Sequence, residues 1–383
     1  MNLILVHPFL HQRGGGERVV LEISKKFNPI IYTVLYDPKN TFEDFNEYDI
    51  RILPKSLLEA PFFFMKNDFR YSRAISAGFR YYFSKLTEDY DVINAHGTPS
   101  EWIRNRNERV LWYCYSPSRE AYDLYDFRMK NLSLPQKVLK SVFISGFRLT
   151  EESIVQKLEK IVAISEITNF RIKKYFKRND AEVIPPGVDA EKFTNKGYEK
   201  YFFYPSRIVP EKRFEYAIEA FKRFSKKKKG WKLIIAGFLA DKPSEKEYFE
   251  KIKELAKGFN VEFRLNLEEK DLKELYSNSY AVLFTPINED FGLVPLEAMA
   301  SEKPCISVNE GGPVNVIKEG RTGFLVNSPE EMADRMLYLA SHSEENERMG
   351  KEGRKEIFRN YTWKVFLNRM ERAFKEVARA KEG

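Results

Sequence analysis

The chain has 383 residues, of which 43% are hydrophobic and 31% are charged, a composition that excludes a disordered or fibrous protein. This length is enough for two domains of common size, and no apolar run reaches the roughly 18 residues that a membrane-spanning helix needs. The formal net charge of +8 favours an anionic partner such as nucleic acid, an anionic membrane or a phosphorylated small molecule.

The first half of the chain alternates short apolar runs with amphipathic stretches, which predicts a parallel sheet covered by helices on both faces. Residues 2–6 are predicted as the first strand, because they lack the basic start and long apolar run of a signal peptide. We therefore expect a cytoplasmic protein. Further strands are predicted at residues 30–35, 92–95, 110–114, 161–164 and 183–184. Helices are predicted at residues 17–27, 71–86, 136–147, 151–160 and 166–176.

The same alternation restarts after a turn at Pro185, Pro186 and Gly187. Strands are predicted at residues 201–204, 232–236, 261–263, 281–284, 304–307 and 323–326, with helices between them, for example at 211–224 and 244–257. Two Rossmann-like α/β domains are thus expected, at residues 1–190 and 191–360. Residues 361–383 are predicted to form a C-terminal helix that packs back toward the first domain.

Cysteine and histidine usage gives no sign of a metal site. Cys114 and Cys305 each lie in an apolar run, which predicts two buried thiols in a reducing compartment. The four histidines show no metal-ligand spacing with each other or with the cysteines, so no metal is expected.

Open parallel sheets bind ligands beyond the carboxyl ends of their strands, so the loops after strands are the places to search. The first such loop carries Gly14, Gly15 and Gly16 directly before a helix. Glycines let a backbone approach a ligand closely, and a helix N-terminus offers N–H groups to a phosphate. The loop matches neither the dinucleotide fingerprint nor the P-loop pattern.

Two further loops carry charged residues in the second half of the chain. Arg207 and Lys212 follow the first strand there and flank the expected start of a helix, an arrangement suited to a diphosphate. Glu289 and Glu297 follow the strand at 281–284. Glu297 lies within an apolar helix, so its carboxylate should be paired or should bind a ligand such as vicinal hydroxyls.

Taken in chain order, these loops resemble those of the family 4 glycosyltransferases, whose GT-B fold has two Rossmann-like domains facing across a cleft. The most specific part is EDFGLVPLEAM, which contains Glu289 and Glu297, followed by SRIVPEK, which contains Arg207 and Lys212. The stretches VIPPGVD and GRTGFLV are also similar to stretches found in this family. The opening HPFLHQRGGGERVV is similar to mannosyltransferases of lipid-linked oligosaccharide assembly, and WYCYSPSREAYDLY to mannosyltransferases of O-antigen assembly.

The resemblance implies a retaining transfer of a sugar from a nucleotide-sugar donor, without a metal or other cofactor. It places the nucleotide ribose on Glu297, the donor sugar on Glu289 and the diphosphate on Arg207 and Lys212. The remaining donor contacts that it implies are the Gly14–Gly16 loop, Arg264 and the backbone of Phe291, Gly292 and Leu293.

Two positions depart from the family pattern. Related sequences often carry histidine where this chain has Tyr115, and His96, in the loop expected after residues 92–95, is an alternative for that catalytic role. Asn315 stands where the family often has glutamate after Gly311, Gly312 and Pro313.

Several alternatives remain open at this level. The resemblance favours GDP-mannose as donor and a glycan or lipid-linked acceptor, and a glucan or disaccharide synthase that uses UDP- or ADP-glucose shares the fold. The net charge motivates a nucleic-acid-binding protein, but the run 226–229 is more typical of a solvated helix end, so no nucleic-acid partner is expected. A dehydrogenase lacks its fingerprint. Residues 60–86 mix aromatic with basic residues, as a peripheral membrane contact would.

Overall fold

The computed structural model of the protein describes residues 1–55, 69–130 and 132–379, and its contacts fall into two units. The first unit comprises Met1–Pro186 together with Phe366–Gly383, and the second comprises Gly187–Val365. Residues 56–68, which contain the first part of the aromatic and basic stretch 60–86, lie outside the described residues.

The first unit is built on a parallel seven-stranded sheet in the order β5-β3-β1-β6-β7-β8-β9. The strands at Leu3–Val6 and Val110–Cys114 are continuous apolar runs because both faces of the sheet are covered, whereas Val92–His96 also carries the buried polar residues Asn94 and His96. A separate pair, β2 and β4, lies outside this sheet. The strands of the unit are β1 (Leu3–Val6), β2 (Phe9–Leu10), β3 (Ile30–Thr33), β4 (Leu35–Tyr36), β5 (Ile50–Ile52), β6 (Val92–His96), β7 (Val110–Cys114), β8 (Lys160–Ala163) and β9 (Glu182–Val183).

The helices of this unit are α1 (Gly15–Phe27), α2 (Phe69–Phe83), α3 (Tyr125–Met129), α4 (Leu134–Val155) and α5 (Glu166–Phe176). The prediction of two helices at 136–147 and 151–160 is wrong, because α4 is one helix of 22 residues that spans the first predicted helix and ends at Val155, within the second. Gly146 does not end the helix, and the Thr150 hydroxyl donates to its carbonyl oxygen at 2.9 Å, four residues back. Ser133 and Gln136 form a capping box at the start of the helix.

The second unit has a parallel six-stranded sheet in the order β12-β11-β10-β13-β14-β15. Aromatic rings fill part of its core, where Phe202 packs against Phe224 and Trp231. The strands are β10 (Tyr201–Pro205), β11 (Lys232–Gly237), β12 (Val261–Leu265), β13 (Ala281–Phe284), β14 (Cys305–Val308) and β15 (Gly323–Val326). The helices are α6 (Phe214–Lys227), α7 (Pro243–Ala256), α8 (Glu269–Asn278), α9 (Leu293–Ala300), α10 (Pro313–Val316), α11 (Pro329–Ser341) and α12 (Ser343–Asn360).

The last helix, α13 (Trp363–Arg379), contributes to the first unit from Phe366 onward. Its buried residues recur at helical spacing, and the Phe366 and Phe374 rings lie 5.7 Å and 5.4 Å from the rings of Tyr113 and Phe27. The first unit is therefore made from two separate parts of the chain.

Both sheets have a position where the strand order reverses. In the first unit this position lies between β1 and β6, and in the second it lies between β10 and β13. Ligands of open α/β sheets bind beyond the carboxyl ends of the strands at such positions. Arg207, Lys212 and Glu289, three of the residues predicted to form the site, lie in the loops that follow the two strands at the reversal of the second unit.

Candidate functional site

The loop after β10 places Lys212 differently from the sequence prediction. A short 3-10 turn at Pro210–Lys212 follows the strand, and α6 begins only at Phe214, so Lys212 lies in this turn and not at the helix itself. Arg213 links the turn to the helix with a positive φ of 50°. The loop also approaches β11 so closely that a Cβ on Gly237 would lie 1.7 Å from the Ser206 carbonyl oxygen.

The loops after β10 and β13 meet in an ion pair between two residues that the sequence selects separately. The Lys212 Nζ atom lies 2.6 Å from Glu289 Oε2, with the lysine side chain 13% exposed and the glutamate 30% exposed. The same nitrogen lies 5.7 Å from the centre of the Phe284 ring. Lys212, which the sequence predicts to bind the diphosphate, is therefore paired with a carboxylate in this structure.

Gly311 and Gly312 pack closely against the backbone of the loop that carries Glu289. A Cβ on Gly311 would lie 2.5 Å from the Glu289 carbonyl oxygen, and a Cβ on Gly312 would lie 2.4 Å from Phe291 Cα. The Gly312 N–H also donates to the Glu289 carbonyl at 2.7 Å. The Gly-Gly-Pro turn is thus required for close packing, whereas Asn315 in the following helix is exposed.

Arg213, which the sequence reasoning missed, ties the same loops together. Its guanidinium donates to the carbonyl oxygens of Thr285 at 2.7 Å and Pro286 at 3.0 Å, and it forms an ion pair with Glu310 at 2.5 Å. Five donors in a fixed fork allow one arginine to hold three groups at once. The sequence signal that could have identified it is its position directly after Lys212, as a third cation in the same loop.

Glu297 lies on α9 and accepts a hydrogen bond of 2.5 Å from the hydroxyl of Tyr276. Burial and the nearby Glu297 charge raise the pKa of Tyr276 well above its usual value, so the hydroxyl remains a donor. Gly292 precedes the helix with a φ of 88°, and Leu293 is its first residue. Phe291 is buried, so this loop offers backbone rather than side-chain groups.

Two predicted donor contacts, Arg207 and Arg264, form no hydrogen bond or ion pair with Lys212, Glu289 or Glu297 in the described part of the chain. Arg207 is exposed, and it forms no ion pair with any residue that the structure describes. Arg264 lies in β12 and not in the loop that follows, and it pairs with Glu262 at 2.6 Å. β12 is the edge strand, two positions from β10. Arg264 lines a separate polar depression of about 360 Å³ in the second unit.

In the first unit, the glycine loop after β1 is partly helical. Gly14 caps α1, while Gly15 and Gly16 already belong to its first turn, so the expected start at residue 17 is two residues late. Glu17 folds back toward this turn, and a Cβ on Gly14 would lie 2.5 Å from its Oε2 atom. Burial raises the pKa of Glu17 to about 7, so the first turn of α1 contains a carboxyl group that titrates near neutral pH.

His96 and Tyr115, which the sequence offers as alternatives, form one hydrogen-bonded pair. His96 is the last residue of β6 and not a loop residue, and its Nε2 lies 2.6 Å from Asn94 Oδ1. Burial lowers the pKa of His96, which keeps its ring neutral. The Tyr115 hydroxyl donates to the Gly16 carbonyl oxygen at 3.0 Å, and its oxygen also lies at hydrogen-bonding distance, 3.0 Å, from His96 Nδ1.

These groups border a cavity of about 440 Å³ in the first unit. Its polar side includes Glu17, His96 and Tyr115, and its apolar side includes Phe143 and Phe147 of α4. The sequence reasoning did not assign His7, which also borders the cavity and whose pKa burial lowers to about 3. A cavity with one polar and one apolar side suits an amphipathic molecule.

A pair of buried carboxyl groups lies beside this cavity. Glu101 and Glu151 are both fully buried, and each carboxyl group interacts with the other and with the hydroxyl of Thr98, which lines the cavity. Burial is the largest cause that raises the pKa of each carboxyl. Within the described ranges, no three His, Cys, Asp or Glu side chains form a cluster able to hold a metal ion.

Comparison with known proteins shows similarity to glycosyltransferases, and the family match covers most of the second unit. The profile of the family "Glycosyl transferases group 1" matches residues 188–356, which contain the Lys212–Glu289 pair. The chain is 23% identical to alpha-1,3/1,6-mannosyltransferase ALG2 of Dictyostelium discoideum over 98% of each chain. It is 34% identical to a probable sucrose-phosphate synthase of Thermosipho melanesiensis over 50% of this chain and 47% of that one.

Solved structures share the fold. The crystal structure of HepE from Anabaena, in complex with UDP and glucose, superposes with a TM-score of 0.71 at 14% sequence identity and covers 98% of this chain and 99% of its own. The GT-B fold that the sequence resemblance implies is thereby confirmed. No helix in the described ranges combines the length and the apolar composition needed to cross a membrane.

Proposed function

Since residues 188–356 carry the glycosyl transferases group 1 domain and the chain is a glycosyltransferase, we propose that it transfers mannose from GDP-mannose to a glycan or lipid-linked acceptor. The observation that carries this proposal is the full-length similarity to an alpha-1,3/1,6-mannosyltransferase. We further propose that the transfer retains the anomeric configuration and needs no metal.

The proposed donor site is the Lys212–Glu289 cluster at the strand-order reversal of the second unit. A leaving diphosphate gains negative charge as the glycosidic bond breaks, and a fixed cation beside it stabilises that charge. Lys212 is fixed, because Glu289 holds its ammonium group at 2.6 Å. Arg207, exposed and without an ion pair in the described part of the chain, adds a second cation for the phosphates.

The two carboxylates of the site have separate roles in this proposal. Glu289 retains one carboxylate oxygen beyond the one that meets Lys212, and this oxygen can accept from a hydroxyl of the donor sugar. Glu297 binds the ribose hydroxyls while the Tyr276 hydroxyl fixes its orientation. The N–H groups of Gly292 and Leu293 at the start of α9 face the sugar and phosphate.

The cavity of the first unit is the proposed place for the acceptor. An oxocarbenium-like transition state is expected for glycosyl transfer, and the acceptor hydroxyl attacks on the side of the leaving group. A phosphate oxygen of the donor takes the hydroxyl proton, so no strong protein base is needed. His96 is neutral and hydrogen-bonded through Tyr115, which suits a role in orienting the sugar rather than in accepting a proton.

A second candidate is a synthase that uses UDP- or ADP-glucose. The 34% identity to a sucrose-phosphate synthase favours it, although that similarity covers only half of this chain. Both candidates place the diphosphate on the same cations, so the donor base separates them.

The first experiment is a calorimetric titration with GDP, UDP and ADP. GDP is expected to bind the wild type most tightly, and Glu297→Ala is expected to lose this binding together with its ribose contacts. Glu347→Ala, which removes a half-exposed carboxylate elsewhere in the same unit, is the matched control and should bind as the wild type does. Preference for UDP or ADP would support the synthase, and failure to bind any nucleotide would contradict both.

A further inference from the structure

Phe238 is an exposed aromatic residue at the carboxyl end of the sheet in the second unit. It directly follows β11, and its side chain is 58% exposed. Within the described residues, no other large hydrophobic side chain in the loops after β10, β11 and β12 is exposed, whereas the polar residues Arg207, Asp241 and Asn266 are. The ring is therefore a single flat apolar surface among polar groups, at the end of the sheet where ligands of parallel sheets bind.

Hydrogen bonds with two neighbouring loops fix the backbone that carries this ring. The pairing of β10 with β11 continues beyond both strands, because the Ile208 N–H donates to the Phe238 carbonyl oxygen at 2.9 Å. On the other side, the Asn266 N–H donates to the Gly237 carbonyl oxygen at 3.0 Å, and Asn266 Oδ1 accepts from the Leu239 N–H at 3.1 Å. A ligand that stacks on the ring therefore has little loop entropy to overcome.

Phe238 lies on the face of the sheet that α8 covers. Ile234 of β11 borders the polar depression together with Leu275 of α8, and side chains separated by two residues along a strand share a face. Phe238 continues this alternation past the end of the strand, four residues after Ile234. Tyr276 belongs to the same helix α8 and donates to Glu297 at 2.5 Å. The exposed ring and the hydroxyl that contacts Glu297 therefore lie on the same side of the sheet.

A nucleotide with its ribose on Glu297 and its diphosphate on Lys212, as in the proposed function on which this inference rests, still needs a surface for its base. Arg264, to which the resemblance assigns a donor contact, lies within β12 and not at its end. The strand β11 lies two strand spacings from β13, about 10 Å, which is comparable with the length of a nucleoside.

We propose that the base of the donor nucleotide stacks on the ring of Phe238. Base–aromatic stacking needs only a flat face on each partner, so the contact contributes affinity for any nucleotide and leaves the choice of base to other groups. Phe238 is in this sense a binding residue and takes no part in breaking the glycosidic bond.

Calorimetric titration with GDP, UDP and ADP tests the proposal on the wild type, Phe238→Ala and Phe238→Tyr, with folding checked by circular dichroism and the thermal midpoint. Phe358→Ala is the matched control, because Phe358 on α12 is 45% exposed in the same unit. Phe238→Ala is expected to bind the preferred nucleotide about tenfold or more weakly, whereas Phe238→Tyr, which keeps the ring, and the control should bind as the wild type does. In addition, Phe238→Trp introduces a tryptophan whose fluorescence the stacked base should quench.

Kinetics provide a second measurement. Stacking acts equally on the bound donor and on the transition state, so Phe238→Ala should raise the KM for the donor about tenfold and keep kcat within about threefold of the wild type.

The outcomes separate this inference from the proposed function. Unchanged nucleotide affinity in Phe238→Ala, while Glu297→Ala loses binding, would overturn the stacking contact and leave the transferase proposal in place. Weak binding by both Phe238→Ala and Phe238→Tyr, without quenching in Phe238→Trp, would also overturn it, because the ring would then act on the fold of the loop and not on the base. Failure of the wild type to bind any nucleotide would overturn both proposals.

Discussion

Replacing Lys212 by methionine removes one charge from the proposed donor site and keeps most of the side-chain volume. The ammonium lies 2.6 Å from Glu289, a distance typical of a strong charge-assisted hydrogen bond. Because the two side chains are only 13% and 30% exposed, the substitution leaves a largely covered carboxylate without its partner, and we expect a loss of about 1–3 kcal/mol in the free energy of unfolding. The effect on catalysis should be larger, about 10²–10³-fold in kcat, which is the usual cost of removing one group that stabilises developing charge.

Nucleotide release from the donor, with water as acceptor, measures the catalytic effect without knowledge of the natural acceptor. Urea denaturation of the wild type, Lys212→Met, Glu289→Gln and the double variant gives the coupling energy of the pair. Lys253→Met is the matched control, since Lys253 forms a comparable ion pair with Glu250 on the surface of α7, at 3.0 Å. This control should retain the wild-type kcat.

Two results would contradict this role of Lys212. If Lys212→Met were folded and kept a kcat within about threefold of the wild type, the cation would not stabilise the leaving group. If the coupling energy with Glu289 were zero, the contact would not position the lysine, and its fixed orientation could not explain any catalytic effect.

Three further predictions concern the architecture around the sites. Burial raises the pKa of Glu151, so the folded state binds more protons than the unfolded state and loses stability as the pH rises above about 4.3. Glu151→Gln, which also relieves repulsion with Glu101, should therefore raise the melting temperature above pH 8 or so and have little effect near pH 4. Tyr115→Phe removes the hydroxyl that donates to the Gly16 carbonyl oxygen and contacts His96 Nδ1, and should lower the free energy of unfolding in urea by about 1–2 kcal/mol. Gly312→Ala places a methyl group 2.4 Å from Phe291 Cα, and calorimetry should show weaker nucleotide binding because the loop must shift.

The elements that the sequence predicted well are those with a strong local pattern. The strands Val110–Cys114 and Gly323–Val326 appear as predicted, because short apolar runs between turns have few alternatives. The edge strand Ile50–Ile52 was missed, since it is short, partly exposed and contains an arginine. Local pattern also divided α4 wrongly, because its apolar residues lie on two faces and hide the helical period.

The site could be predicted as a set of loops but not as a set of contacts. The topology rule placed Lys212 and Glu289 near strand ends, yet 77 residues separate them, and their contact depends on the pairing of β10 with β13. The hydrogen bond between His96 and Tyr115 depends likewise on the pairing of β6 with β7. Arg264 lies in the edge strand β12 rather than in the loop predicted to follow it, two strands from the point of reversal.

The division of the first unit between two parts of the chain has a consequence for synthesis. The contacts of Phe27 with Phe374 and of Tyr113 with Phe366 join residues on either side of Gly187–Val365. A ribosome that adds about 5–20 residues per second needs roughly 10 to 35 s to produce the intervening stretch. During that interval the nascent first unit exposes the apolar surface that α13 will cover, and a chaperone has time to bind it. The first unit therefore cannot be completed until α13 has been synthesised, although the strands of its sheet precede the second unit in the chain.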